Sequence, residues 1–324
     1  MKAVYCKGYG TPDVLELRDV DKPAPESGRV VVQVHAASLN VADYYDLRGG
    51  VGRLSGGLLR PKDPRVGRDF AGLVEAIGEG VAHINPGDEV FGTCPGSFAE
   101  YASAREDRIA LKPANVSFEE ASAIPVAGLT ALQGLRDAGH IKPGQKVLID
   151  GASGGVGTFA VQIAKAFGGE VTAVCSPRNQ EIARSIGADH VIDYTQADYT
   201  QNQPKYDLIL GVNGDHSIFS VRRALSPTGV YVMAGASRRS VLLMFMQVAL
   251  FSRLLSKSGG QKLGFMGITK VNQADLAFVG ELVEERKVVP VIAKRYPLGE
   301  TAQAFRYLGE GHAMGKVIIN IKSD

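Results

Sequence analysis

A glycine-rich turn near the middle of the chain limits its possible folds more than any other feature. Residues 151–157 read Gly-Ala-Ser-Gly-Gly-Val-Gly, after the apolar run 146–150 and before an amphipathic stretch at 158–167. A strand, a glycine turn and a helix in this order bring bare backbone N–H groups to a pyrophosphate at the positive end of a helix dipole. A triphosphate-binding loop needs a lysine after the last glycine, whereas Thr158 stands there. The turn therefore predicts a dinucleotide site made by Ser153, Gly154, Gly155, Val156 and Gly157.

The residues after this turn alternate between strand-like and helix-like segments. Strand-like runs stand at 170–175, 190–193, 206–212 and 229–234. Such alternation builds a parallel, doubly wound sheet, so the fold class is predicted to be α/β. The dinucleotide fingerprint of these sheets begins with glycine; this chain has Ala152 at that position and glycine at the other two.

The end of the second strand of this sheet indicates which dinucleotide is bound. A carboxylate there accepts hydrogen bonds from the 2′-hydroxyl of NAD, but residues 175–179 read Cys-Ser-Pro-Arg-Asn. The hydroxyl of Ser176, the guanidinium of Arg178 and an amide suit a 2′-phosphate, which predicts NADPH as the cofactor. The alternative is that Arg178 only caps a surface turn.

Length and composition exclude several classes of protein. A chain of 324 residues is long enough for two domains. Its net charge of +2, without a block of lysine and arginine, argues against a nucleic-acid partner. The first residues begin as a strand and not as an export signal, and Cys6, Cys94 and Cys175 form no disulfide framework. A cytoplasmic location is therefore predicted.

The longest apolar run, at residues 241–251, is too short to cross a membrane, so no integral membrane segment is predicted. Basic residues on both sides of it leave a surface-lying amphipathic helix as one reading. The favoured alternative is a helix that covers the substrate cleft or a subunit contact.

The chain divides into three parts by composition. Residues 1–124 contain short strand-like runs separated by Pro, Gly and Asp clusters, which predicts an antiparallel, barrel-like domain. Residues 125–265 hold the dinucleotide-binding domain. Residues 266–324 contain too few elements for a core of their own, so this tail is predicted to return to the first domain.

Seven motifs in this order resemble the medium-chain dehydrogenase/reductase family, over essentially the whole chain. They are Asn-Val-Ala-Asp at 40–43, Gly-Arg-Asp-Phe-Ala-Gly at 67–72, Pro-Gly-Asp-Glu-Val at 86–90, Gly-Leu-Thr-Ala at 128–131, the turn at 151–157, Ile-Gly-Ala-Asp at 186–189 and Gly-His-Ala-Met-Gly-Lys at 311–316. The chain is most similar to the zinc-free quinone oxidoreductase-like branch, among chloroplast-envelope quinone oxidoreductase homologues and alkenal/enone reductases. The resemblance implies a GroES-like domain, a Rossmann domain and a homodimer formed through an edge of the Rossmann sheet.

The zinc-dependent alcohol dehydrogenases of the same family need ligands that this sequence lacks. Where they carry the first catalytic cysteine, residues 38–40 read Ser-Leu-Asn, and where they carry Gly-His-Glu, residues 67–69 read Gly-Arg-Asp. A guanidinium does not ligate a metal, and the structural-zinc loop is missing between residues 92 and 101. No metal is therefore expected.

Without a metal to polarise a ketone, the accessible reaction is hydride transfer to a conjugated acceptor, a quinone or an α,β-unsaturated carbonyl. By the resemblance, Tyr45 falls where some quinone oxidoreductases carry a cleft tyrosine, and it is the candidate donor to the developing enolate oxygen. Tyr44 is the competing choice, and both tyrosines have a packing role as the alternative. Asn40 and Asp43 are predicted to shape the cleft floor, or simply to satisfy the backbone of their turn.

The resemblance also implies cofactor contacts outside the glycine turn, each with an ordinary structural alternative. Thr130, placed at a helix start, is either a cofactor contact or a cap; Tyr194 lies near the adenosine ribose or is a half-buried aromatic. Asn213 and the backbone around Phe265 are expected near the nicotinamide, although residues 211–214 depart from the relatives' Asp-x-Val/Ala-Gly pattern. Lys316 is a cofactor contact or a solvated strand start. An NADPH-binding scaffold with little or no turnover stays open as the alternative function.

Overall fold

The structure is a computed structural model that describes residues 1–49, 57, 59–201, 205–213, 216–235 and 260–322. The chain packs as two compact units. Unit 1 comprises Met1–Ala127, Val271–Arg286 and Pro290–Asp324, and unit 2 comprises Gly128–Lys270 and Lys287–Val289. The domain boundaries at 124 and 265 stay predictions, because compact units show how the chain packs and not which part folds alone. The apolar run 241–251 lies outside the described residues.

The strands of the described residues follow one another along the chain as β1 (Lys2–Cys6), β2 (Leu15–Asp19), β3 (Arg29–Leu39), β4 (Asp69–Ile77), β5 (Glu89–Thr93), β6 (Tyr101–Arg105), β7 (Ile109–Leu111), β8 (Lys146–Asp150), β9 (Glu170–Cys175), β10 (His190–Asp193), β11 (Tyr206–Gly211), β12 (Leu225–Met233), β13 (Lys262–Phe265), β14 (Ile292–Pro297) and β15 (Lys316–Asn320).

The α-helices of the same residues are α1 (Val41–Arg48), α2 (Phe118–Ala123), α3 (Pro125–Gln133), α4 (Gly155–Ala166), α5 (Gln180–Ser185), α6 (Ile218–Ala224), α7 (Gln273–Glu284) and α8 (Thr301–Gly309). Short 3₁₀ turns stand at Pro12–Val14, Glu106–Arg108, Pro177–Asn179 and Leu298–Glu300, and Gly134–Ala138 continues α3 as a π-helical turn. No helix within the described residues is long and apolar enough to pass through a bilayer.

Unit 1 is built on a seven-stranded sheet. Its order is β14-β15-β3-β4-β5-β7, with β6 also pairing with β3, and all pairs are antiparallel except β14 with β15. The β-branched run of β3 favours an extended strand, and Val30, Val32 and Val34 are buried in the same apolar core as Phe70. Because β15 pairs with β3, the C-terminal tail completes the sheet that carries residues 39 and 69.

Unit 2 is built on a six-stranded parallel sheet of order β10-β9-β8-β11-β12-β13. Both faces of such a sheet are covered, so its central strands are apolar throughout: Val147, Leu148 and Ile149 are fully buried. This order is that of a doubly wound dinucleotide-binding sheet, which confirms the predicted α/β class. β12 begins earlier than predicted, and β13 was not predicted as a strand.

Candidate functional site

The glycine turn of unit 2 joins β8 to α4, and two of its glycines are required by packing. Gly151 adopts a left-handed φ of +88°, and a Cβ on it would lie 2.8 Å from the Cβ of Asn213. A Cβ on Gly157 would lie 2.1 Å from the carbonyl oxygen of Gly151. Any side chain at position 157 would therefore push the turn away from the helix that follows it.

Gly154 differs from these two because the described residues leave open the space beside it. It is the N-cap of α4, and among those residues a Cβ on it would meet the Gly151 oxygen alone, at 3.8 Å. A glycine N-cap has no side chain to accept hydrogen bonds from the first-turn N–H groups, which include those of Gly155 and Val156. The helix begins at residue 155 and not at 158 as predicted, so these donors stand at its positive end. We call this space beside Gly154, with the N–H groups of the first turn of α4, the open cradle. It fits a pyrophosphate.

The C-terminal end of β9 lies beside this turn. The Asn179 side chain reaches back from it, and its Nδ2 donates to Ser153 Oγ at 2.8 Å. Ser176 Oγ is buried without a hydrogen-bond partner among the described residues, whereas Arg178 is exposed. The backbone N–H of Tyr194 donates to the Cys175 carbonyl at 3.3 Å, which brings that residue to the same strand end. Its ring is exposed and not half-buried.

Three further predicted contacts lie elsewhere in unit 2. Thr130 lies inside α3, which begins at Pro125, so its predicted place at a helix start is wrong; its hydroxyl shares a 2.7 Å hydrogen bond with that of Thr269. Asn213 is exposed and stands against Gly151. Phe265 ends β13 opposite Met233 and is partly exposed.

A buried polar cluster lies in unit 1, where β3, β4 and β15 adjoin. Lys316 Nζ donates to Asn40 Oδ1 at 2.6 Å and to Asp69 Oδ2 at 3.3 Å. Asn40 Nδ2 donates to Asp69 Oδ2 at 2.9 Å, and Ser38 Oγ donates to the Ser122 carbonyl at 2.7 Å and to the same carboxylate at 3.3 Å. We call Ser38, Asn40, Asp69 and Lys316 the Asp69 cluster.

The structure shows that Lys316 is buried in the Asp69 cluster, so the alternative that it is a solvated strand start is wrong. Only 3% of this residue is exposed, and Asp69 is fully buried. Burial raises the pKa of Asp69 and lowers that of Lys316, while their mutual attraction opposes both shifts. The sequence places Lys316 at a strand start, where charged residues are usually solvated, but it lies next to a buried carboxylate 247 positions earlier in the chain.

Helix α1 is held to the Asp69 cluster by a second set of charges. Asp43 Oδ2 accepts from the Asn40 backbone N–H at 2.8 Å, which caps the helix, and Asp43 Oδ1 accepts from Arg68 Nη1 at 3.0 Å. Arg68 Nη2 also donates to Asp46. Burial raises the pKa of Asp43 to about 6, against the attraction of Arg68. The Asp43 carboxylate thus satisfies the backbone of its own turn, while the Asn40 side chain is held by Asp69 and Lys316. The predicted place of both residues at the cleft floor stays a prediction.

The same helix carries Tyr44 and Tyr45, which have different surroundings. Tyr44 is 6% exposed in the core of unit 1, and its hydroxyl accepts from Arg48 Nη2 at 2.9 Å. Tyr45 is 38% exposed. Only the second hydroxyl is therefore open to a small molecule, while the first belongs to the packing of α1.

Two domain models match the chain. The alcohol dehydrogenase GroES-like domain matches residues 26–114, and the zinc-binding dehydrogenase model matches residues 186–319. The chloroplast envelope quinone oxidoreductase homolog of Arabidopsis thaliana is 33% identical over 341 aligned residues, which cover 98% of each chain. This chain belongs to the medium-chain dehydrogenase/reductase family.

Other members of the family are equally similar. The 2-methylene-furan-3-one reductase of Solanum lycopersicum is 33% identical over 99% of this chain and 79% of that protein. The solved structure of the quinone oxidoreductase from Coxiella burnetii has a TM-score of 0.86 and 31% identity, and 99% of each chain is covered. The predicted GroES-like and Rossmann architecture and the predicted family are confirmed. Membership makes this chain an oxidoreductase, and the fold suggests a nicotinamide cofactor.

The name of one matching model raises the question of whether this medium-chain dehydrogenase/reductase holds zinc. Within the described part of the chain, no three His, Cys, Asp or Glu side chains are grouped so that they could hold a metal. The Lys316 ammonium lies 3.3 Å from the Asp69 carboxylate, and the Arg68 guanidinium donates a hydrogen bond to the Asp43 carboxylate. These cations repel a dication and do not ligate it, so the Asp69 cluster does not fit a catalytic zinc.

Sequence reasoning missed three polar residues that the structure brings forward. At the level of sequence, Asp69 is only the last residue of the Gly-Arg-Asp motif, Arg68 only a residue that cannot ligate a metal, and Asn179 only the amide next to Arg178. Their side-chain partners lie 22 or more positions away, as in the pairs Arg68–Asp46 and Asn179–Ser153. A sequence signal existed only for Arg68 and Asp43, because opposite charges within one short segment of the chain attract each other.

Proposed function

We propose that this protein is an NADPH-dependent, zinc-independent oxidoreductase that transfers hydride to a quinone or an α,β-unsaturated carbonyl. The observation that supports it best is the open cradle at Gly154, where first-turn N–H groups and free space coincide. The names of the relatives, quinone oxidoreductase and 2-methylene-furan-3-one reductase, support the class of acceptor.

The residues proposed to hold the cofactor lie at three places. The N–H groups of the glycine turn would face the pyrophosphate, and Arg178 with Ser176 would face the 2′-phosphate. The predicted contacts of Thr130, Tyr194, Asn213 and Phe265 belong to the same proposal. Nothing in the structure supports the predicted contact of Lys316, whose ammonium is already held by Asn40 and Asp69.

When bound, NADPH supplies the hydride. The negative charge that develops on the acceptor is spread by conjugation, so no Lewis acid is needed, and one well-placed donor stabilises the oxygen. We propose Tyr45 as this donor. Asn40 and Asp43 are proposed to act on the acceptor site through α1, which they cap, and not by moving a proton themselves.

The test of turnover is to mix the purified protein with NADPH and a panel of small quinones and enones, and to follow the loss of absorbance of the reduced cofactor. We expect oxidation with at least one acceptor, at a rate unchanged by prior treatment with a chelator. If no acceptor is reduced although NADPH binds, the alternative of a non-catalytic scaffold is correct.

The test of cofactor choice is to replace Arg178 by Ala. We expect NADPH affinity to fall about 30-fold and NADH affinity to stay unchanged, because a charge-assisted contact with the phosphate is lost. Arg184→Ala is the matched control: it removes the same charge from α5, where Arg184 Nη2 donates to Gln180. Equal losses for both cofactors would refute the phosphate contact.

Assembly and location complete the proposal. Among the described residues β13 is the last strand of the parallel sheet, and the homodimer that the family resemblance implies would form through an edge of this sheet. Sedimentation of the purified protein tests this. A cytoplasmic location, a small-molecule acceptor and the lack of a nucleic-acid partner stay predictions.

A further inference from the structure

The side-chain amide of Asn179 has a hydrogen-bond partner for its nitrogen but none among the described residues for its oxygen. It is 5% exposed, and its Nδ2 is held by Ser153 Oγ at 2.8 Å. The Oδ1 of the same amide is buried and has no hydrogen-bond partner among the described residues. Ser176 Oγ, three residues earlier, is in the same condition. Buried polar atoms in native proteins are nearly always paired, so two such atoms at one strand end indicate a ligand.

The chemistry of the free atom limits what the ligand presents to it. An amide oxygen only accepts hydrogen bonds. A phosphate at neutral pH offers acceptors as well, so it would repel Oδ1, and a sugar hydroxyl would satisfy it. Arg178, the exposed cation next to it, has the opposite preference. The two neighbouring residues therefore suit different groups of one adenosine ribose phosphate.

We infer that Asn179 accepts a hydrogen bond from the 3′-hydroxyl of the adenosine ribose, the hydroxyl that NADH and NADPH share. This rests on the proposed function, because it requires that a nicotinamide nucleotide binds at the glycine turn. Ser153 is then the positioning residue that orients the amide. Arg178 selects between the two cofactors, whereas Asn179 contributes to the binding of both.

The first experiment measures the dissociation constants of NADH and NADPH for the full-length protein and for Asn179→Ala by calorimetry. We expect both to weaken about tenfold, with their ratio unchanged, because one hydrogen bond common to both is lost. Gln180→Ala is the matched control: it removes an amide at the next position, whose Oε1 accepts from Arg184. A loss confined to NADPH would place Asn179 at the phosphate and overturn the inference.

A second ligand separates a direct contact from a structural effect of the substitution. The 3′-deoxy analogue of NADH should bind the wild-type protein about tenfold more weakly than NADH does, and should bind Asn179→Ala as well as NADH does. Equal penalties for the analogue in both proteins would show that Asn179 does not contact this hydroxyl. If the wild-type protein binds neither cofactor, the proposed function fails and the inference fails with it. If it binds both and the penalties are equal, only the inference fails.

Discussion

The glycine turn of unit 2 and the Asp69 cluster of unit 1 are both rich in polar groups, but these groups differ in whether the protein supplies their hydrogen-bond partners. At the turn, no side chain caps the first-turn N–H groups of α4, and Ser176 Oγ and Asn179 Oδ1 lack partners among the described residues. In the Asp69 cluster, each charged group is held by at least one other member. Unsatisfied polar groups beside a binding site are available to a ligand, whereas a satisfied buried network holds its own elements together. Substitutions should therefore affect binding at the first region and stability at the second.

The largest effect on stability is expected at Gly157, where the glycine turn packs closely against its own backbone. Gly157→Ala places a Cβ 2.1 Å from the Gly151 carbonyl, a backbone atom that cannot rotate away. We expect unfolding to become easier by about 4–5 kcal/mol, measured by urea denaturation, together with loss of NADPH binding. Gly154→Ala is the control, because its Cβ meets nothing closer than 3.8 Å. It should keep the wild-type stability and lose affinity only; equal destabilisation by both substitutions would contradict the open cradle.

The next effect tests whether the Asp69 cluster holds unit 1 together. Lys316→Met leaves the fully buried Asp69 without its cation, and we expect a loss of about 3–5 kcal/mol in the free energy of unfolding. The double substitution with Asp69→Asn should recover much of this loss, since no unpaired charge remains. Lys322→Met removes an exposed lysine from the same terminus and should be neutral. A stable single variant that loses only NADPH affinity would instead make Lys316 a cofactor contact.

These two outcomes also explain what the sequence was able to predict. The turn is contained in seven consecutive residues, so its strand, its glycines and its helix were visible in the local pattern. The Asp69 cluster joins residues 40 and 69 to residue 316, and no local pattern reports such a contact. Tertiary pairing likewise decides β13: the alternation in its four residues, Lys-Leu-Gly-Phe, is too short to distinguish a strand, and they become one because β12 pairs with them.

A smaller effect is expected from the pH dependence of α1. The pKa of Asp43 is about 6 in the folded protein and 3.8 as an ordinary carboxyl, so the folded state binds its proton more tightly. Stability from this group is therefore complete below pH 4 and falls as the pH rises to 6, by about 3 kcal/mol. Asp43→Asn removes the titration. The free energy of unfolding of the variant, minus that of the wild type, should rise between pH 4 and 6; a flat difference would show that Arg68 keeps the carboxylate ionised.

The smallest effect concerns the one exposed hydroxyl of α1. Tyr45→Phe should lower kcat about 100-fold with little change in KM, because a donor to the developing oxygen is lost only in the transition state. Tyr44→Phe is the matched control: its hydroxyl accepts from Arg48, so stability should fall slightly while kcat stays unchanged. If the control lowers kcat and Tyr45→Phe does not, the roles of the two tyrosines are reversed.

The position of Lys316 in the chain has a consequence for synthesis on the ribosome. Unit 1 takes its last segment from residues 290–324, while unit 2 is complete once residue 289 has been made. The Asp69 carboxylate can pair with Lys316 only after nearly the whole polypeptide has been synthesised. We therefore expect nascent chains that stop before residue 316 to lack the Asp69–Lys316 pair and to leave the amino-terminal part of unit 1 unfinished and protease-sensitive.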